Sequence, residues 1–268
     1  MASEHTHDLI IFYQLSNRSV PHILDMIFFQ LDYKSFKRCM EVNKAWNKLL
    51  STKPYQERSK ELFIEKKENE KKLYDASGKG DIEMVQKLIN KLLVDANVVV
   101  IVSPAYHLSP LYLAASEGHT EVVKLLLDAG ANADEPSMLN RSSPLHIAVQ
   151  NGHIDTVRVL IKAVTDVNKA TFSGKTPLLL AVLNGHHNIA KLLLEGGADV
   201  DKSDVAYGNT PLMAAAYNGH LNVVKVLLDG GADINLHNIH GRRALWFATL
   251  GGHIDVMNIL LEGGAIPL

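Results

Sequence analysis

Thirteen histidines invite a search for metal or acid–base chemistry. Five of them follow glycine, as Gly118-His119, Gly152-His153, Gly185-His186, Gly219-His220 and Gly252-His253, at steps of 34, 33, 34 and 33 residues. A metal needs several ligands converging within bonding distance. Histidines dealt out one per unit, each beside its own turn, are expected to lie too far apart for that. His186-His187 is an adjacent pair with no further ligand signal nearby. No Ser-His-Asp pattern, phosphate-cradling glycine loop or paired-carboxylate motif stands out, and Gly-Gly pairs such as Gly196-Gly197 belong to recurring turns. The sequence therefore points to a chain with no catalytic residue, metal or cofactor of its own. What the histidines carry is a period, and a fixed period of about 33 residues marks a helical solenoid whose units contact only their neighbours.

The elements that hold those histidines keep the same register. Nine residues before each Gly-His stand Ser109-Pro110-Leu111, Ser143-Pro144-Leu145, Thr176-Pro177-Leu178 and Thr210-Pro211-Leu212, with Arg243-Ala244-Leu245 in the last unit. A hydroxyl can cap a helix, and proline is tolerated at the first helical position because its missing N–H has no partner there. Small pairs such as Ala114-Ala115 let helices approach closely. Glycine ends the first helix by turning left-handed, and the histidine after it can bond orphaned backbone groups. An apolar second helix follows, as in EVVKLLLDAG, then a reversing turn such as GGADVD.

This pattern closely resembles the ankyrin repeat, in SGKTPLLLAVLNGHHNIAKLLLEGGADVD and YGNTPLMAAAYNGHLNVVKVLLDGGADIN nearly throughout. Five clear repeats run from about Tyr106 to the C-terminus. A degenerate sixth, KKLYDASGKGDIEMVQKLINKLL, precedes them with Leu73, Ala76, Gly80, Val85 and Leu88 in register. It lacks Thr-Pro, as suits a polar end unit. The resemblance implies an all-α helical solenoid over 73–268 with short hairpin loops. The step from Gly80 to Gly118 is 38 residues, so an insertion containing Asn97 to Val102 sits in the first unit. It reads either as an extended second helix with a longer hairpin arm, or as an exposed β-prone edge for partner pairing. At the other end the last repeat stays apolar (Phe247, Ile254, Val256, Ile259, Leu260), so that end is expected to be partly covered or prone to association.

The first seventy residues lack the repeat. In SVPHILDMIFFQLDYKSFKRCMEVNKAWNKLL, Ile23, Leu24, Ile27, Phe28 and Leu31 recur at helical spacing. After a break come Phe36, Cys39, Met40 and Val42, then Ala45, Trp46 and Leu49. Three short helices of this length bury little apolar surface alone. They can be a helical cap on the solenoid or an independent docking module. The order Val20-Pro21, Ile23-Leu24, Ile27-Phe28, Leu31-Asp32, then Val42, Trp46 and Leu49, resembles the F-box, with Val20 in place of the usual leucine. The resemblance implies a three-helix F-box-like domain over 19–54, after an extension at 1–18. It implies docking to the Skp-family adaptor of cullin–RING ubiquitin ligases through Pro21, Ile23, Leu24, Ile27, Phe28, Leu31, Phe36 and Val42, with Trp46 in the domain's own core. The lysine- and glutamate-rich stretch 55–72 reads as a solvated linker helix, and no Gly/Ser/Pro cluster marks a floppy hinge there.

Two function classes follow. The first is the substrate-recognition subunit of an SCF-type ubiquitin ligase, non-catalytic, with the adaptor at one end and a target protein on the concave face of the repeats. The second is an ankyrin scaffold or inhibitor without ligase coupling. The resemblance places target binding at hairpin tips and first-helix ends: Tyr106, Leu108, Asn140, Phe172, Lys175, Leu183, Tyr207, Asn209, Tyr217, His240, Arg242 and Trp246. Glu117, Asn151 and Leu250 also fall among the first-helix ends. Tyr, Trp and Arg are the types most often found at interface hot spots; the row Phe172, Tyr207, Tyr217 and Trp246 is the strongest group. In some ankyrin proteins asparaginyl hydroxylases modify the hairpin position held here by Asn168 and Asn235, from which Asp134 and Asp201 depart. A formal net charge of −2 argues against a nucleic-acid partner. The segment 73–268 carries 14 basic and 19 acidic residues, favouring a neutral or basic partner. No apolar run reaches membrane length, no signal peptide is evident, and Cys39 is the lone cysteine. The expected location is cytosolic or nuclear, or the host cytosol for a bacterial effector.

Overall fold

The computed structural model describes residues 53–92, 94–103 and 106–266. The extension 1–18 and the candidate adaptor residues Pro21, Ile23, Leu24, Ile27, Phe28, Leu31, Phe36 and Val42 lie outside the described residues. By contacts the chain divides into two units, 1–71 and 72–268.

One helix, α1 (Lys53–Lys79), contains the charged stretch 55–72 and runs seven residues past it. In the first unit, Glu70 pairs with Lys67 at 2.6 Å, three residues apart.

The second unit is a stack of helix pairs. Its first pair is the end of α1 with α2 (Ile82–Asn90), where Leu73, Ala76, Val85 and Leu88 are buried in the register read from the sequence. The five clear repeats follow. They are α3 (Pro110–Glu117) with α4 (Thr120–Asp128), α5 (Pro144–Gln150) with α6 (Ile154–Ile161), α7 (Pro177–Leu183) with α8 (His187–Glu195), α9 (Pro211–Tyr217) with α10 (Leu221–Asp229), and α11 (Ala244–Gly251) with α12 (Ile254–Glu262).

The local signals act as their chemistry requires. Ser109, Ser143, Thr176 and Thr210 each accept a hydrogen bond from the backbone N–H three residues on, and proline follows each cap. Arg243 cannot accept, and α11 has no side-chain cap. Leu111, Leu145, Leu178, Leu212 and Leu245 at the second position of the first helices are buried. So are Val123, Val157, Ala190 and Val224 of the second helices. Each large aliphatic side chain so buried contributes about 1.5–3 kcal/mol, and the core runs from repeat to repeat without a break.

The all-α expectation needs one correction. Helix α2 stops at Asn90, so the insertion does not extend it. Strands β1 (Val100–Ser103) and β2 (Tyr106–Leu108) instead pair antiparallel, with Val100 opposite Leu108 and a register shift after Ile101. The cause is composition: a run of Val and Ile favours pleated backbone. The insertion is therefore a longer hairpin arm built as a true β-hairpin. At the other end, Ile254, Leu261 and Ile266 are exposed.

Candidate functional site

The site candidates sit on loops and first helices whose positions are fixed from below by ties between repeats. The Gly-His histidine of one repeat lies against the left-handed glycine of the repeat before it. His119 Nε2 is 3.1 Å from the Gly78 carbonyl, His153 Nε2 is 2.8 Å from that of Ser116, and His253 Nε2 is 2.9 Å from that of Tyr217. These carbonyls belong to the end of the preceding first helix, which has no intrahelical donor. The histidines thus satisfy the neighbouring repeat, not their own turn. Among the described residues no group of three or more His, Cys, Asp or Glu converges as a metal site would require.

A second set of ties aligns the hairpins. Asn97 Oδ1 accepts from the Asn132 N–H at 2.7 Å, Asn168 Oδ1 from Asp199 at 2.8 Å, and Asn235 Oδ1 from Ile266 at 2.9 Å. The same asparagines donate to the Gly130, Gly197 and Gly264 carbonyls. Asp134 and Asp201 keep the acceptor role, towards Thr165 and Asp233. The hairpin asparagines are therefore structural ties in this chain.

Above these ties stand the tips. Phe172 is exposed, and its N–H donates to the Asn140 carbonyl at 3.0 Å; Ile239 donates in the same way to Tyr207. Two candidates are engaged in shaping the tips. Asn140 Oδ1 accepts from Ser137 Oγ at 2.8 Å and from the Ser142 N–H at 2.9 Å. Asn209 Oδ1 accepts from Asn238 Nδ2 at 2.8 Å, linking two tips. Lys175 is exposed. Leu108 is half-buried beside Val99, Tyr112, Pro136 and Met138 around a cleft of about 120 Å³. Tyr106 lies in β2, and its side chain is outside the described residues.

The last two repeats bring five candidates into two clusters. Tyr217 meets Phe247 edge-on at 6.4 Å, and Phe247 meets Trp246 edge-on at 5.0 Å. The Arg242 guanidinium stacks 4.0 Å above the Trp246 ring. On the tips, Tyr207 and His240 stand 6.1 Å apart. Trp246 is half-buried, whereas His146 at the same register in α5 is fully buried. Such a cluster combines wide aromatic area with few rotatable bonds and a cation held in place, the composition of an interface anchor. Leu183, Tyr217 and Leu250 share one exposed register of the first helices. Glu117 and Asn151 do not share it; the residues in register are Ser116 and Gln150, one position earlier.

Reading the sequence alone missed Phe247, which joins Tyr217 to Trp246. It also missed Met138, Leu139, Val205 and Ile239, all exposed on the tips. The available signal was apolar residues in otherwise polar loops, with Leu139, Phe172 and Ile239 each four positions before the first-helix cap.

A solenoid of helix pairs with hairpin tips defines a protein-binding class. The family model for ankyrin repeats (3 copies) matches residues 48–137, 73–171, 131–204, 163–238 and 202–267, most of the chain. The chain belongs to the ankyrin-repeat family, and its repeats imply protein–protein binding. No match is found among curated proteins. No helix among the described residues is long and apolar enough to cross a membrane.

Proposed function

We propose that this chain is the substrate-recognition subunit of an SCF-type ubiquitin ligase, working in the cytosol or nucleus. The segment 19–54 docks the Skp-family adaptor, and the ankyrin repeats hold the target protein. The single observation that carries ligase coupling is the run Val20-Pro21, Ile23-Leu24, Ile27-Phe28, Leu31-Asp32, then Val42 and Trp46. The observation that supports target holding is the Tyr217–Phe247–Trp246–Arg242 cluster. The chain supplies no reacting group; ubiquitin transfer belongs to the associated ligase, and its own contribution is to position the target.

The test is co-purification of the chain with a Skp-family adaptor, beside an Ile27→Asp, Phe28→Asp double variant. A complex formed by the wild type and lost in the variant, while the repeats keep their thermal midpoint, supports the reading. A well-folded wild type that forms no complex overturns it and leaves an ankyrin scaffold or inhibitor without ligase coupling.

A further inference from the structure

Six exposed apolar residues of the repeat unit lie on its hairpin tips. Met138, Leu139, Phe172, Val205, Tyr207 and Ile239 are between 51% and 78% exposed, on four successive tips. Apolar side chains exposed on successive tips offer an interaction surface.

Charge on the same tips runs against that of the unit that carries them. Residues 73–268 hold 14 basic and 19 acidic residues. The tip segments 137–142, 171–175, 204–209 and 238–242 hold Arg141, Lys175 and Arg242 against Asp204 alone. Asp204 is occupied within its turn, where Oδ1 accepts from the N–H groups of Ala206, Tyr207 and Gly208. The three cations are exposed.

Arg141 adds an independent sign. Two residues before their caps, the next three repeats place Gly174, Gly208 and Gly241, all with positive φ. Arg141 occupies the same position with φ 60°, the single non-glycine residue with positive φ among the described residues. A side chain there is strained where glycine is not. Strain kept at an exposed cation is a mark of function.

We propose that this tip row binds an acidic protein segment that carries apolar side chains at intervals. The proposal deepens the reading of the repeats as the target-holding module and rests on it. The net charge of the unit had favoured a neutral or basic partner; the local charge at the tips reverses that. Neighbouring repeats stack about 10 Å apart, so four tips span about 30 Å, or about nine residues of extended chain. Apolar side chains of the partner rest on the tip residues, and its carboxylates meet the three cations. An anionic membrane fits less well. Clusters of about four to eight cations are typical of lipid recognition, and the acidic excess of the unit opposes approach to it.

The experiment selects peptides of about nine to twelve residues, the length set by the ridge, from a random display library on the immobilised full chain. A variant carrying Arg141→Gly, Lys175→Glu and Arg242→Glu is run in parallel, with far-UV circular dichroism confirming that it folds. The proposal requires wild-type selections rich in Asp and Glu beside aromatic or aliphatic residues. A synthetic peptide of that kind must lose at least about tenfold in affinity on the variant. Selections that are basic or uncharged, or an acidic peptide that binds both proteins equally, overturn the acidic chemistry and leave the repeats as a binding module. Phosphatidylcholine vesicles containing phosphatidylserine that bind the wild type in place of any peptide overturn it in favour of a membrane. A library that yields no binder overturns it outright. Adaptor co-purification reports separately on ligase coupling in every case.

Discussion

The imidazole of His153 is seated on the left-handed glycine Gly118 of the preceding repeat, with Nε2 2.8 Å from the Ser116 carbonyl. The pair couples two repeats through a position that admits no side chain. A Cβ built at Gly118 falls 2.5 Å from His153 Nδ1.

Gly118→Ala therefore meets both left-handed strain and a clash, whereas Gly252→Ala, with φ 70° and open space around it, meets strain alone. Left-handed strain costs about 1–2 kcal/mol. Urea titration is expected to show Gly252→Ala destabilised by that amount and Gly118→Ala by clearly more. Equal losses would show that His153 moves aside freely.

His146 gives a pH dependence. It is fully buried, its Nδ1 accepts from the Ser143 N–H at 3.2 Å, and its Nε2 makes no well-aligned hydrogen bond within the protein. Burial pushes its pKa down to about 4, tempered by the nearby backbone of Lys169 and Lys175. The unfolded chain takes up this proton near pH 6.5 and the folded chain near 4. Stability from this group is complete above about pH 6.5 and declines as pH falls towards 4, by about 3 kcal/mol. His146→Leu, the residue type at Leu179 in the next repeat, is expected to flatten the slope in urea titrations between those two pH values.

Arg141→Gly relieves left-handed backbone at an exposed tip. A gain of about 1 kcal/mol is expected in thermal or urea unfolding, together with weaker binding of an acidic peptide. Loss of stability would show that the Arg141 side chain supports the tip.

Asp201→Asn is expected to stabilise the stack. The Asp201 carboxyl has a raised pKa, through burial first and then repulsion from Asp233 and Asp199. An asparagine keeps the acceptor for the Asp233 N–H, removes the repulsion, and supplies the donor that Asn168 and Asn235 direct at Gly197 and Gly264. A hydrogen bond of this kind adds about 0.5–1.5 kcal/mol, read as a higher unfolding midpoint at neutral pH.

Much of the architecture was legible in the residues themselves. Ser/Thr-Pro-Leu, the small pairs and the Gly-His turn act within one helix pair, so local chemistry settles caps, helix ends and the buried register at Leu111, Val123 and their equivalents. What the sequence left open needs two repeats, or two loops, at once. The histidine partners, the Asn97–Asn132 type of tie and the Tyr217–Phe247 contact join groups about thirty or more residues apart in sequence. Stacking distance brings them together, not local preference. The insertion shows the same limit, since Val98 to Val102 reads as helix or as strand until pairing with Tyr106–Leu108 supplies the partner for its backbone. The tips are the clearest case. Sequence alone fixes that Arg141, Lys175 and Arg242 sit near caps and that the unit is acidic overall. Only the stack sets them on one ridge with Phe172 and Ile239, because exposure and charge at a surface depend on which loops the fold makes neighbours.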